Sequence, residues 1–193
     1  MAYTSCSAAI AANIQIDCSN PLAGGYTGRA LGFELSPAPT LTRNAQNELI
    51  ISDITLATDK KFFAIENFGT DPFTGSNSAS NADGAVMRHV KTFVFDVPKR
   101  GAAASKEIVD PLTRLPLGFG VIAERKDGKY ELIGVESGLR VNADGVASDA
   151  YTKDGVTTIT ASCSQYNYEY EFFDTDKATT QTKFETLLSG STL

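Results

Sequence analysis

A hairpin pattern near the middle of the chain most constrains the fold. Two short runs rich in aliphatic and aromatic residues, 119–124 and 129–135, flank residues 125–128, in which Asp127 precedes Gly128. An Asp-Gly pair between such runs is a strong indication of a tight turn joining antiparallel strands. The β-branched run 156–160 follows a polar stretch with two further Asp-Gly pairs, which we interpret as turns. The sequence therefore predicts a hairpin and a third strand that together make half of a sheet.

Alternating apolar and polar residues predict further strands along the chain. These strands are expected at residues 29–35, 49–57, 61–65, 86–97 and 162–173. Helix is favoured only at 101–115, where Pro111 would end or bend it, and at 179–188. With 193 residues, the chain is expected to form a single, mainly β domain, 1–193, which includes an N-terminal arm at about 1–20.

The longest segment without predicted structure spans residues 66–84. Loops beyond about 12–15 residues are usually functional or disordered, and aromatic residues on a polar loop often anchor it against a neighbour. We therefore expect a long mid-chain loop, about 66–85, that orders on an adjacent subunit, with a floppy surface loop as the alternative. The inter-subunit candidates are Phe68, Asp71, Phe73, Asn77 and Asp83.

Composition excludes several classes of protein. The net charge of −6 argues against a nucleic-acid binder, which would need clustered lysine and arginine. No apolar run approaches the roughly 18 residues of a membrane helix. Cys6, Cys18 and Cys163 lack the spacing of a zinc site or a disulfide framework, and the N-terminus lacks the pattern of a signal peptide. A cytoplasmic site of synthesis, reduced thiols and no membrane partner are expected.

No motif in the sequence indicates catalysis or cofactor binding. His89 has no companion at metal-ligand spacing, and the glycine pairs lack the context of a nucleotide-binding loop. Glu169 and Glu171 lie two residues apart, which suits a solvated strand face better than an acid–base pair. We therefore expect no cofactor, no metal and no enzymatic activity.

The order of these features resembles that of the tail tube proteins of long-tailed bacteriophages. The resemblance rests on the long mid-chain loop, residues 89–95, one short helix, residues 120–124 and 127–134, and residues 137–139 and 157–160. Residues 14–28 are also similar to the start of such proteins in phages of gut Bacteroides-type hosts.

This resemblance implies two antiparallel sheets packed as a β-sandwich or partial barrel with one flanking short helix. It further implies a structural virion protein, assembled in the host cytoplasm, whose homohexameric rings stack into a tube with a β-barrel lining the lumen. Other tail proteins would be partners, and viral DNA would pass without specific binding. By strand alternation, Asp53, Glu124 and Glu131 are the candidates for the lumen-facing side, with Glu169 and Glu171 as rivals.

Two other functions are consistent with the same sequence. One is a different virion component, such as a head decoration, head–tail joining or baseplate protein, because related folds serve several roles. The other is a glycan-binding β-sandwich module that uses the aromatic residues between Tyr166 and Phe172.

Overall fold

The computed structural model describes residues 25–67, 73–82, 86–97, 105–148 and 157–190. The protein is mainly β, as the sequence predicts. The strands in chain order are β1 Tyr26–Glu34, β2 Thr40–Arg43, β3 Ile50–Thr55, β4 Phe63–Glu66, β5 Thr74–Ala82, β6 Val86–Val97, β7 Phe119–Arg125, β8 Tyr130–Ile133, β9 Arg140–Ser148, β10 Thr157–Gln165 and β11 Tyr170–Phe172. A π-helical segment, Ser105–Val109, runs into helix α1, Asp110–Arg114, and helix α2 spans Lys177–Gly190. The N-terminal arm lies outside the described residues.

The strands form two sheets. The seven-stranded sheet has the order β2-β3-β11-β8-β7-β1-β4, and the four-stranded sheet has the order β5-β6-β10-β9. The four-stranded sheet is antiparallel throughout, whereas β11 runs parallel to β3 in the larger sheet. The expectation of two packed sheets with a helix is confirmed, but the larger sheet is mixed and neither sheet closes into a barrel.

The protein has three layers, which are the four-stranded sheet, the seven-stranded sheet and helix α2, and an apolar core lies between each layer and the next. The first core lies between the sheets and joins residues such as Ala30 and Val121 of the larger sheet to Phe93 and Ile159 of the smaller one. The second core lies on the opposite face of the seven-stranded sheet, where it includes Phe184 of α2. Because the seven-stranded sheet is covered on both faces, its central strands β7 and β8 are almost continuously apolar and buried.

Helix α2 is capped at its start and anchored at its middle. Asp176 precedes the helix, and its Oδ1 accepts a hydrogen bond from the backbone N of Thr179 at 2.8 Å, which satisfies a free donor of the first turn. Phe184 is fully buried, and its ring centroid lies 4.7 Å from that of Tyr130. The predicted C-terminal helix is therefore confirmed and serves as the third layer.

The helix expected at 101–115 is confirmed for residues 105–114. Pro111 does not end it: this residue lies in the first turn of α1, directly after the π-helical segment. Leu112 is buried and packs against the core between the sheets.

The prediction of a long mid-chain loop is wrong for residues 74–82. These residues form β5, which pairs with β6 at all nine positions from Thr74 opposite Val94 to Ala82 opposite Val86. Glycine, serine, asparagine and alanine have little intrinsic preference for strands, so the segment has the composition of a loop. Pairing with the twelve-residue strand β6 overrides that preference. Residues 68–72 and 83–85 lie outside the described part of the chain.

The central hairpin is confirmed as β7 and β8. At its tip the backbone N of Gly128 donates to the carbonyl of Arg125 at 2.9 Å, and Gly128 has a φ of 76°, which glycine adopts without strain. The third strand does not extend this sheet. It corresponds to β10, which pairs with β6 and β9 in the four-stranded sheet, while a single bridge from Phe119 to Leu139 connects β7 to the start of β9.

Two further predictions for this region, a turn at Asp144-Gly145 and a continuous strand at 162–173, are also wrong. Asp144 and Gly145 form no turn between strands but lie in β9, in a bulge where residues 142–145 face Thr160 alone. The strand expected at 162–173 is interrupted by a bend at residues 166–168, so that β10 belongs to the smaller sheet and β11 to the larger one. The chain crosses between sheets at this bend.

Candidate functional site

The four-stranded sheet has one buried and one open face. The inward residues of β6 and β10 alternate with partly exposed ones, as expected for a sheet packed on one side. Phe93, Phe95, Ile159 and Ala161 point inward and are at most 3% exposed. These residues hold the sheet against the seven-stranded sheet and leave its other face to solvent.

The open face carries small, mostly uncharged side chains. Its cross-strand pairs between β6 and β10 are Val90 with Ser164, Thr92 with Ser162, Val94 with Thr160, and Asp96 with Thr158. All eight residues are partly exposed, and Asp96 is the only charged one among them. The Asp96 carboxylate accepts a 2.5 Å hydrogen bond from the Thr158 hydroxyl, which reduces its availability to a ligand. These eight residues form a mostly uncharged central area, and two arginines lie on the same face outside it, Arg88 of β6 and Arg140, which stands opposite Ser162.

The edges of this sheet are β5 and β9, and each pairs on one side only among the described strands. Strand β5 is nine residues long and pairs with β6 along its whole length, whereas the bulge at residues 142–145 divides the nine-residue β9 into two shorter regular segments. Near the end of β9, Val146 is 42% exposed and adds an apolar contact. Within the described residues, the outer sides of β5 and β9 therefore have no strand partner.

A buried ion pair links the two sheets. Lys91 of β6 and Glu131 of β8 approach to 2.7 Å between Nζ and Oε1, and their side chains are 4% and 9% exposed. Tyr26 of β1 donates from its hydroxyl to the other carboxylate oxygen at 2.9 Å. Burial and the neighbouring Glu131 carboxylate raise the pKa of Tyr26, so its hydroxyl keeps its proton and remains a donor.

A second charged cluster joins the seven-stranded sheet to α2. Arg29 donates to both carboxylate oxygens of Glu124 at 2.8 Å and to Glu185 of α2 at 2.6 Å. Thr27 donates to Glu124 at 2.6 Å, and the Arg29 guanidinium stacks 5.8 Å from the centroid of the Phe184 ring. Burial would raise the pKa of Glu124, but the hydrogen bonds from Arg29 and Thr27 outweigh it and lower that pKa. Glu124 therefore holds Arg29 within the sheet, and the Arg29–Glu185 contact ties the helix to it.

The lumen-facing assignment is wrong for Glu124 and Glu131. These residues are only 8% and 7% exposed, and both are engaged in the ion pairs described above. Their strands are covered on both faces, so alternation alone could not identify a solvent side. Asp53 is partly exposed and pairs with Lys183 of α2 at 3.0 Å, which places it on the helix side of the larger sheet. The three acids are thus not brought together.

The rival acids Glu169 and Glu171 also lie apart from the open face. Glu169 pairs with Arg125 at the hairpin tip, with 2.8 Å between Oε1 and Nη1. Glu171 is partly exposed and stands opposite Glu131 in the register of β11 and β8. Because Lys91 already neutralises Glu131, Glu131 and Glu171 do not form a pair of unneutralised carboxylates.

Among the predicted inter-subunit residues, Phe73 is not an exposed anchor. It is 4% exposed and packs in the core between the sheets, with its ring centroid 5.0 Å from that of Phe93 and 6.1 Å from that of Tyr26. Asn77 lies in β5 opposite Lys91. Phe68, Asp71 and Asp83 lie outside the described residues.

The sequence reasoning missed Lys91 and Tyr26 as functional partners of Glu131. Alternation along β6 places Lys91 on the same face as Phe93 and Phe95. A lysine on an otherwise aromatic face indicates a buried charge that needs an acidic partner. This pattern could have identified Lys91, although it could not have identified Glu131.

The remaining polar groups show no assembled reactive centre in the described part of the chain. No three His, Cys, Asp or Glu side chains cluster there as metal ligands. Cys163 is buried, which raises the pKa of its thiol to about 11 and keeps it protonated. A cavity of about 160 Å³ lies between the hairpin tip and α2, beside Lys129, Glu171 and Lys177. No described helix combines the length and apolar character needed to cross a membrane.

Comparison with protein-family models, with curated proteins and with solved structures finds no match for this chain.

Proposed function

We propose that this chain is the major tail tube subunit of a long-tailed bacteriophage, which forms hexameric rings that stack into a DNA-conducting tube. The observation that carries the proposal is the open four-stranded sheet, whose strands are 9 to 12 residues long and whose exposed face carries small, mostly uncharged side chains where β6 pairs with β10. The feature order that resembles tail tube proteins supports the same function.

The two edges of this sheet supply a means of assembly. If β9 of one subunit pairs with β5 of the next, the contact is head-to-tail, and repetition around a ring extends the sheet continuously. Closing the ring removes the edges, which in an isolated subunit are prone to uncontrolled association. The joined sheet would line the lumen of each ring.

The chemistry of the open face suits a wall along which DNA slides. Thr92, Thr160 and Ser162 present hydroxyl groups, and no lysine or arginine occurs among the eight paired residues of this face. This central area offers phosphate groups no cationic attachment point, while Arg88 and Arg140 of the same face lie on different strands outside it. The proposed wall is therefore the hydroxyl-bearing face of the smaller sheet rather than the acids Asp53, Glu124 and Glu131.

Negative-stain electron microscopy of the purified protein, together with light scattering over a range of concentrations, tests assembly. Rings or hollow tubes are expected, and immunolabelling should mark the tail along its length in virions that contain the protein. Labelling of the head, the head–tail junction or the baseplate would instead indicate that the protein is a different virion component. A protein that remains monomeric and has no place in a tail overturns the proposal.

A pair of matched variants tests the role of the β9 edge. Val146→Lys places a charge at this edge and should abolish rings while the protein stays folded. Leu117→Lys is the control, because Leu117 is similarly exposed, at 49%, but lies in the turn before β7. Equal loss of assembly in both variants would argue against strand pairing at β9.

A further inference from the structure

The amino group of Lys91 and the carboxyl group of Glu131 meet in the core between the two sheets, where their side chains are 4% and 9% exposed. We propose that this pair is a modification site, at which Nζ of Lys91 and Cδ of Glu131 condense into an amide bond that links β6 covalently to β8. This modification is separate from tube formation and does not depend on it.

The two reacting groups are held in contact. Nζ of Lys91 lies 2.7 Å from Oε1 of Glu131, which is one covalent bond away from Cδ. The two side chains come from strands of different sheets, which the apolar core between them keeps in place. Well-oriented groups within one molecule react as if one of them were present at on the order of 10⁵–10⁸ M. This gain offsets the unfavourable condensation of a free amine with a free carboxylate in water.

Burial also favours the product. An ion pair that is kept out of water carries the desolvation cost of two charges, whereas an amide is neutral. Tyr168 shields the amine from solvent, because its ring centroid lies 4.8 Å from Nζ of Lys91 and its own side chain is half exposed. The same shielding keeps out the bulk water that would reverse the reaction.

The condensation is balanced without any further reagent. A proton passes from the Lys91 ammonium to the Glu131 carboxylate, which leaves a neutral amine and a neutral carboxyl group. The Nζ lone pair then attacks Cδ, so that the Nζ–Cδ bond forms and the Cδ–Oε1 bond breaks. Oε1 takes a second proton from Nζ and leaves as one molecule of water. No oxidant, reductant or activating group is consumed.

Tyr26 is positioned to act as a catalytic residue in this step. Its hydroxyl donates at 2.9 Å to Oε2 of Glu131, the oxygen that becomes the amide carbonyl. Negative charge develops on this oxygen when Cδ becomes tetrahedral, and a donor aimed at it stabilises the transition state. The Tyr26 ring is held by Phe73 and Phe93, whose centroids lie 6.1 and 6.3 Å away. The donor is therefore in place before the reaction.

Two other ion pairs each lack one of these conditions. Arg29 and Glu124 are in contact, but a guanidinium stays protonated and cannot attack a carboxyl carbon. Lys60 and Glu34 lie 2.7 Å apart, as Lys91 and Glu131 do, but their side chains are 28% and 33% exposed. Water solvates both charges there, so the Lys60–Glu34 pair is an internal control of equal distance.

Mass spectrometry of the whole chain, purified in denaturant and then refolded, tests the proposal. With time the folded chain should become lighter by one water molecule. Trypsin should then leave a branched peptide that joins residues 89–99, uncut at Lys91, to residues 130–140. Lys91→Arg keeps the cation without the nucleophile and should retain its full mass. Tyr26→Phe should fold, as judged by circular dichroism, but form the bond about 10²–10³-fold more slowly.

Several results would overturn the proposal. The first is a refolded wild-type chain that keeps its full mass and yields no branched peptide. The second is loss of ammonia instead of water, which would place the bond at Asn77, opposite Lys91 in β5. Equal rates in the wild type and Tyr26→Phe would contradict the role of Tyr26, and a second link between Lys60 and Glu34 would contradict the need for burial.

Discussion

Lys91 of β6 and Glu131 of β8 form a 2.7 Å ion pair inside the interface between the two sheets. Desolvation of two charges costs about as much as their attraction returns, so such a pair contributes little net stability compared with apolar residues. An unpaired charge at the same place is far more costly. The pair therefore acts mainly by orienting the smaller sheet on the larger one, because a displaced sheet would leave Lys91 and Glu131 buried and separated.

Lys91→Met should destabilise the protein by about 3–5 kcal/mol, because Glu131 would remain buried without its cation. Combining it with Glu131→Gln should recover part of that loss, since the neutral amide oxygen can still accept the Tyr26 hydroxyl. Guanidinium unfolding of the wild type, both single variants and the double variant measures the coupling energy. Simple additivity of the two single effects would contradict a direct interaction.

Acid should destabilise the protein through Glu124. Hydrogen bonds from Arg29 and Thr27 outweigh burial and hold the pKa of Glu124 below its ordinary value of 4.5. The folded state thus binds this proton less tightly than the unfolded chain does. The stabilising contribution is fully present above about pH 4.5 and is lost as the pH falls through the pKa of the folded state.

The measurement is the free energy of unfolding between pH 7 and pH 3 for the wild type and Glu124→Gln. The variant should be less stable at pH 7 and should lose stability less steeply in acid, because position 124 no longer titrates. Parallel curves for the two proteins would show that Glu124 does not contribute to the acid sensitivity.

Local patterns determine much of the fold and therefore could be predicted. Strand β6 runs over Val86–Val97, as its alternation indicates, and the Asp127-Gly128 turn joins β7 to β8. These features depend on neighbouring residues in the sequence. The three-layer arrangement does not, because it requires knowing that β9 and β10 join a different sheet from the hairpin that precedes them.

The candidate site was harder to predict for the same reason. Inward placement of Lys91 follows from its strand, but its pairing with Glu131 depends on how the sheets stack. Glu124 and Glu131 looked like surface acids because a carboxylate on a strand usually faces solvent. In a sheet covered on both faces, a carboxylate must instead find a buried partner.

Phe184→Ala should loosen α2 from the seven-stranded sheet. The residue is fully buried, and removal of such a ring typically costs about 3–5 kcal/mol. Hydrogen exchange should accelerate first in α2, whereas strands of the four-stranded sheet should keep more of their protection. Gln181→Ala, an exposed change in the same helix, should alter stability by less than about 0.5 kcal/mol. Equal exchange throughout the protein would show that α2 does not open as a separate unit.

Gly120→Ala should strain the seven-stranded sheet, because Gly120 of β7 stands opposite Phe33 of β1 and the aromatic ring covers the glycine. A Cβ at position 120 would lie 2.3 Å from Cζ of Phe33, whose side chain is fully buried and has little room to move. We expect a loss of about 1–3 kcal/mol in the free energy of unfolding. Gly190→Ala is the control, since nothing lies within 4 Å of its added Cβ. Phe33→Leu in the Gly120→Ala background should recover part of the loss, and no recovery would place the strain in the backbone rather than in the ring.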